Sequence, residues 1–235
     1  VKFKQRHKDD PVANGEIHEV AGGVRRDPSA GKNDKGKGSY LWDAVRFSHK
    51  TFAVDHAIKT IEADYILWLD ADTFTFRKIT TDFVTGLLPS NKLVNYLGRG
   101  AKYPECGWVC YNKRHPKIKE FMQYWTDLYI SDKIFKELEW HDSYVFWQCV
   151  KRIAPNDGVD IGKGAGAKGH HVFINSVLGG YIDHMKGKRK VLGKSSKSDL
   201  RGVRDEDYWQ NVENYDPFRG IKFDAKQAEL SLIHI

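Results

Sequence analysis

Tyr65-Ile66-Leu67-Trp68-Leu69-Asp70-Ala71-Asp72 decides the reading of this chain: five consecutive apolar residues run straight into two aspartates one residue apart. So short a continuous apolar run predicts a central strand over 65–69 covered on both faces, because a solvated face would impose alternation with polar residues. The two carboxylates then stand at the strand's C-terminal end. Only the small Ala71 separates them, so a turn there can aim both at one point.

The flanking text alternates in period. Upstream, Trp42, Val45, Phe47, Phe52, Val54, Ala57, Ile58 and Ile61 recur mostly at three- and four-residue spacings, which predicts a helix of about 20 residues from Tyr40. Downstream, Phe83, Leu87 and Leu88 predict a short helix closed by Pro89, and Leu93–Leu97 and Trp108–Tyr111 predict two more strands. His115-Pro116 opens a second long helix with Ile118, Phe121, Met122, Trp125, Leu128 and Tyr129 turned inward, and Trp140-His141-Asp142 precedes a third through Val150. Residues 157–169 read as a glycine-rich loop that lacks the GxxxxGK[ST] pattern of a P-loop. Val172–Met185 reads as wholly or partly helical, broken at Gly179-Gly180, and leads into the basic run Lys186-Gly187-Lys188-Arg189-Lys190. Strands alternating with helices predict an α/β fold with a mostly parallel central sheet and flanking helices. In such sheets ligands bind at the C-terminal strand ends, where Asp70 and Asp72 stand.

Residues 1–39 are polar and rich in Gly, Asp and Lys, and read as a loop, linker or lid, or the remnant of an upstream part; 40–195 is the expected domain and 196–235 a C-terminal extension. The first residues contain no apolar signal core, and with no initiating Met the chain reads as a fragment or a processed product. In its 235 residues, 40% are apolar and 29% charged, with mean hydropathy −0.58, the composition of a soluble globular domain. No run reaches the roughly 18 apolar residues of a membrane helix, so no transmembrane segment is expected. Thirty-eight basic against 31 acidic residues give +7, which fits a nucleic-acid binder, an anion-binding enzyme or a basic surface. Cys106, Cys110 and Cys149 are odd in number, sit in apolar text and form no CxxC, so they read as reduced core thiols rather than as disulfide or zinc partners.

Two aspartates at a strand end beside a basic run elsewhere form a minimal kit for a metal–diphosphate site. A hard cation such as Mg²⁺ or Mn²⁺ takes one or two carboxylates and completes its shell with water and phosphate oxygens. The competing reading is a solvated turn in which aspartate bonds the local backbone.

Ala63-Asp64-Tyr65-Ile66-Leu67-Trp68-Leu69-Asp70-Ala71-Asp72 resembles the strand-plus-DxD signature of nucleotide-sugar glycosyltransferases of the GT-A fold. Leu97-Gly98-Arg99-Gly100, Glu105-Cys106-Gly107-Trp108, Tyr111-Asn112, Glu139-Trp140-His141-Asp142-Ser143-Tyr144, His170-His171, Ile174-Asn175-Ser176 and Asp183-His184-Met185-Lys186-Gly187 follow in order. Together they resemble a subgroup found in large algal viruses, phages and some bacteria, over residues 40–195.

The resemblance implies a GT-A-like (Rossmann-like) sheet, a Mn²⁺ or Mg²⁺ cofactor held by Asp70, Asp72 and His184, and donor diphosphate contacts from Lys186, Arg189 and Lys190. His170 and His171 compete with His184 as ligands. It implies Asp142 as the catalytic carboxylate with Glu105 as runner-up, and Trp140, His141 and Arg99 on the sugar or acceptor side. Partners would be a UDP- or GDP-sugar donor and a glycan or other hydroxyl acceptor, with no nucleic acid, in a cytoplasmic setting. Only 69 residues precede Asp70, without a convincing opening strand, so the segment is read as lacking part of the base-binding half. Two alternatives stay open: a non-catalytic or degenerate transferase-like domain, and a nucleic-acid-binding protein using basic and aromatic side chains.

Overall fold

The Tyr65–Leu69 run is a strand in the computed structural model, and helices flank it in sequence on both sides. Residues 2–16, 19–20, 23–24, 40–100, 102–163, 165, 171–185, 189, 195 and 197–200 are described. The elements in chain order are α1 (Lys2–His7), β1 (Glu19–Val20), β2 (Gly23–Val24), α2 (Ala44–Thr60), β3 (Tyr65–Leu69), β4 (Thr73–Thr75), α3 (Thr81–Gly86), β5 (Val94–Arg99), β6 (Lys102–Asn112), α4 (Ile118–Ile130), α5 (Asp142–Ile153), β7 (Gly158–Asp160), α6 (Val172–Asn175) and β8 (Ile182–His184). They fall into two compact units, one drawn from Val1–Thr60 and Lys119–Ile153, the other from Ile61–Ile118 and Ala154–Ile235.

The first unit is mainly helical. The apolar spacings read from the sequence are its packing surfaces: Val45, Val54, Ala57 and Ile58 of α2 are buried, as are Phe121, Met122, Trp125 and Tyr129 of α4 and Val145, Phe146 and Val150 of α5. Phe121, Trp125 and Phe146 meet edge to face at about 6 Å, a geometry that sets each ring's positive edge against its neighbour's negative face. The opening residues depart from the expected loop or linker. α1 buries Phe3 against Tyr129 and Phe135, while Arg6 and His7 both reach Asp132, at 2.7 and 3.0 Å. One buried aromatic and two side chains on Asp132 anchor six residues that composition marks as polar.

The second unit holds a four-stranded sheet in the order β3-β6-β5-β7. The expected mostly parallel sheet is not observed: β3/β6 and β6/β5 are antiparallel, and only β5/β7 is parallel. Apolar periodicity carries no information on strand direction. Gly100 does: at φ +67° it makes the tight turn that returns β5 into β6 as a hairpin. β3 is also less enclosed than a central strand, with Tyr65 and Ile66 buried and Leu69 36% exposed. Two stretches read otherwise contain strands. β7 lies inside the glycine-rich loop, and 172–185 is a single helical turn, a 3₁₀ turn at Val177–Gly180 and then β8. Phe83, Leu87, Leu88, Leu97, Trp108, Cys110, Phe173 and Ile182 form the core of this unit. The three cysteines are buried and free, and burial pushes the Cys110 thiol up, away from reactive thiolate. Among the described residues no helix is long and apolar enough to cross a membrane.

Asn95 is the polar tie in that core. Its Oδ1 accepts from the Trp108 indole at 3.2 Å and from the Cys110 amide at 3.1 Å, and its Nδ2 donates to the Leu87 carbonyl at 3.1 Å. Asn95→Leu strands all three partners without water. Loss of roughly 2–4 kcal/mol is expected by urea unfolding, and an unchanged midpoint would refute the role.

In the helical unit, partial burial raises the Asp132 carboxyl, but the bonds from Arg6 and His7 outweigh it and hold it below its ordinary value. The stabilisation is therefore present above the unfolded carboxyl pKa of about 3.9 and is lost as pH falls through the lower folded value. Amide exchange in α1 is expected to accelerate over that acid range, and Asp132→Asn to show fast exchange already at neutral pH.

Candidate metal centre

The centre is built where β3 stops. Its ladder to β6 runs one bond further, Asp70 N–H to the Gly107 carbonyl at 3.0 Å. The chain then turns, with the Thr73 amide and hydroxyl both donating to the Asp70 carbonyl, at 3.0 and 2.9 Å. β4 leaves this turn and pairs antiparallel with β8, setting Thr73 opposite His184, while the Met185 amide donates to the Asp72 carbonyl at 2.8 Å. This ribbon brings together residues 112 apart in sequence: His184 Nε2 lies 2.7 Å from Asp72 Oδ1 and 3.7 Å from Asp70 Oδ2. The other oxygen of Asp70 accepts from the Trp68 indole at 2.7 Å, which fixes that carboxylate's rotation.

Glu105 arrives through an irregularity in β6. From Tyr96↔Val109 to Leu97↔Glu105, β5 advances by one residue and β6 by four, so Cys106-Gly107-Trp108 bulge out of the β5 ladder. Bulges re-aim side chains next to functional sites. Here Glu105 Oε1 comes within 3.3 Å of His184 Nδ1 and accepts from the Gly107 amide at 3.1 Å. Gly107 is required by close approach: a Cβ there would lie 2.4 Å from His184 Nδ1. Phe173 closes another side of the ring, edge to face at 5.5 Å. His184 is fully buried and Glu105 nearly so, while the Asp70 and Asp72 side chains keep 25% and 32% of their exposure.

The donor set fits a divalent cation. Three carboxylates repel one another around one imidazole, and a positive ion relieves that repulsion. Ligand atoms at right angles around an ion roughly 2.1 Å away sit about 3 Å apart, and the distances of 2.7 and 3.7 Å from His184 Nε2 bracket that figure. Oxygen donors with one imidazole suit Mn²⁺, and carboxylates alone suit Mg²⁺. Glu105, Asp70 and His184 also bring ligand atoms within 4.8 Å of one another.

The remaining expected residues are placed as follows. His171 stands beside the site with its ring 6.3 Å from that of His184, whereas His170, Lys186 and Lys190 lie outside the described residues. Arg189 is buried, with its guanidinium 3.7 Å from Asp183 rather than on a phosphate-facing surface. Asp183 is itself buried; burial raises its carboxyl pKa, opposed by the Ser195 hydroxyl at 2.5 Å and the His184 amide at 2.7 Å. Arg99 approaches Glu105 Oε2 at 3.9 Å and donates to the Tyr103 carbonyl.

Trp140, His141 and Asp142 belong to the helical unit. Trp140 is 1% exposed and packs edge-on against Phe135, so it offers no open face for a sugar. His141 bonds Glu139 at 2.7 Å. Asp142 pairs with the buried Lys50 at 2.8 Å and accepts the Ser143 amide at 2.9 Å in the first turn of α5.

Sequence reasoning missed Glu105 as a neighbour of His184, Trp68 as the partner of Asp70, and the contact of Gly107 with the ring. A glycine inside a strand-like run was the available signal, since it marks a bulge or a close approach. No protein-family model, curated protein or solved structure matches this chain.

Gly107→Ala is expected to push the His184 ring out of its slot and weaken Mn²⁺ binding at least tenfold by calorimetric titration, with the protein still folded by circular dichroism. Unaltered affinity would show that the ring's position does not matter to the site.

Proposed function

We propose that the chain is a metal-dependent glycosyltransferase, moving a sugar from a nucleotide-diphosphate donor to a glycan or other hydroxyl acceptor. The observation that carries this reading is the convergence of His184 Nε2 on Asp70 and Asp72 at the end of β3. These are the three residues that the GT-A resemblance names as ligands, and they are far apart in sequence. The sheet is compatible with it: β3 and β5 are each antiparallel to β6, and β7 is parallel to β5, so three of the four strands share one direction. The carboxylate pair lies at their C-terminal side, where α/β sheets bind ligands.

Asp70, Asp72 and His184 would hold Mn²⁺ or Mg²⁺. Bound there, the ion would supply positive charge against the negative charge that grows on the leaving diphosphate. Trp68 keeps one Asp70 oxygen engaged and so limits how that carboxylate can turn. The part-exposed edges of Asp70 and Asp72 are the side from which a phosphate can approach. Lys186, two residues beyond His184, is the cation assigned to the diphosphate, since Arg189 is committed to Asp183. Asp142 is engaged by Lys50, and Glu105 faces His184, so no acceptor-side base is assigned.

Isothermal titration with UDP and GDP should show binding that requires Mn²⁺. Donor-sugar hydrolysis with Mn²⁺ should fall at least tenfold in Asp72→Ala. A flat result in both proteins would instead mark a non-catalytic domain. Metal-independent oligonucleotide binding with steep salt dependence would mark a nucleic-acid binder.

A further inference from the structure

We infer that the cation is taken by His184 Nδ1 with Glu105 and Asp70 as its carboxylate ligands, while Asp72 holds the ring by accepting the Nε2 proton. The inference rests on the metal-site reading above and gives that site a different ligand set from the one the resemblance implies.

The two ring nitrogens are in different states. Nε2 is hydrogen-bonded to Asp72 Oδ1 at 2.7 Å. Nδ1 is buried, lies 3.3 Å from Glu105 Oε1 and has no hydrogen-bond partner. A neutral imidazole has one N–H and one lone pair, and an ionised carboxylate only accepts. The proton therefore belongs on Nε2, where Asp72 receives it. The opposite tautomer would set lone pairs against each other at 2.7 Å and bury an N–H with no acceptor. The free lone pair is thus on Nδ1, sealed from solvent. A buried polar atom without a partner is costly, and an ion or a water is what satisfies it.

The surroundings of Nδ1 select a cation. Glu105 Oε1 and the Nδ1 lone pair are both electron-rich, so neither can serve the other, and an ion serves both. Their separation of 3.3 Å is close to the roughly 3 Å between ligand atoms at right angles around a hard cation. Asp70, Glu105 and His184 each bring a ligand atom within 4.8 Å of the other two, and among the described residues Asp72 stands outside that group. A water could bridge the same atoms, but it would not offset the charge of two carboxylates drawn together.

Glu105 is oriented for the task. Its side chain is 4% exposed, the Gly107 amide donates to Oε1 at 3.1 Å, and the Arg99 guanidinium lies 3.9 Å from the other oxygen, Oε2. Gly107 also supplies the room: a Cβ there would crowd both ligand atoms, at 2.4 Å from Nδ1 and 3.2 Å from Glu105 Oε1. Asp72, on the other edge of the ring, then acts as the outer carboxylate that fixes tautomer and orientation, as such partners of ligating histidines do.

The test compares Glu105→Gln and Asp72→Asn with wild type in the full chain, by Mn²⁺ calorimetry and by the electron paramagnetic resonance signal of free Mn²⁺, with circular dichroism recorded for each. Asp72→Asn keeps an oxygen that accepts the Nε2 proton, whereas Glu105→Gln removes a charged ligand. Glu105→Gln is expected to weaken Mn²⁺ at least about tenfold more than Asp72→Asn does. A smaller gap or the reverse order overturns the inference and leaves the metal site standing. A second measurement needs neither variant: ¹⁵N spectra of histidine-labelled wild type, with His184→Gln identifying the signals. The metal-free ring is expected to carry its proton on Nε2, and titration with diamagnetic Cd²⁺ to shift Nδ1. A proton on Nδ1, or a shift centred on Nε2, overturns the inference even where a variant fails to fold. Wild type that does not bind Mn²⁺ overturns the metal-site reading and the inference with it. Mn²⁺ binding in the expected order, without Mn²⁺-dependent binding of UDP or GDP, supports the ligand set and overturns the glycosyltransferase reading alone.

Discussion

The contact on which the candidate site depends is the one between the buried His184 ring and the Asp72 carboxylate. An imidazole that is fully out of solvent must have its nitrogens matched by polar neighbours, because an unpaired buried donor or acceptor costs about as much as the bond it forgoes. Here Nε2 meets the Asp72 carboxylate at 2.7 Å, while Nδ1 lies 3.3 Å from Glu105 Oε1 without a hydrogen bond. Nothing local in the sequence brings them there. The ribbon formed by β4 and β8 does so, and its register decides the outcome: a slip of one residue would turn His184 to the other face of its strand. The turn after β3, tied by Thr73 to the Asp70 carbonyl, sets where that ribbon starts.

The second constraint is the bulge in β6. Three residues leave the β5 ladder at the place where Glu105 and Gly107 must meet His184, so regular pairing is given up where the site needs irregular backbone. The core absorbs the disturbance one residue further on. Asn95 of β5 takes up the Cys110 amide and the Trp108 indole, and its own amide is anchored on the Leu87 carbonyl. Trp108 is fully buried in the same cluster as Phe83, Phe173 and Ile182. The packing that stabilises this unit and the bulge that aims Glu105 are therefore one structure seen from two sides.

Much of this was legible in the sequence, and the reasons differ by feature. Period revealed α2, α4 and α5, because each presents a long apolar pattern to a core, and the unbroken apolar run of 65–69 revealed β3. The pairing of Asp70 and Asp72 followed from their place after an apolar run, and His184 from a resemblance. Strand direction was not legible, since the same apolar residues serve parallel and antiparallel neighbours. β4, β7 and β8 have three residues each, too few for a period, and their pairing depends on partners distant in sequence. α1 was hidden by composition, because Phe3 is one aromatic in polar text. Trp140 and Arg189, read as ligand contacts, are both buried, because a residue type that suits a ligand also suits a core and burial distinguishes the two only once the chain is folded.

Burial also gives the centre a direction. Exposure rises from His184 and Glu105, sealed within the protein, to Asp70 and Asp72, which keep a quarter to a third of their side-chain surface in water. The sealed members are held by other protein groups, Glu105 by the Gly107 amide and His184 by the walls formed by Gly107 and Phe173. Such groups lose little freedom when a ligand arrives, because their geometry is already fixed by packing. The exposed oxygens can still exchange water for the oxygens of a ligand, which is how hard cations complete their shells. A site graded in this way has its rigid half toward the core and its exchangeable half toward solvent. Any diphosphate that reaches it approaches over the aspartates, with the imidazole behind them.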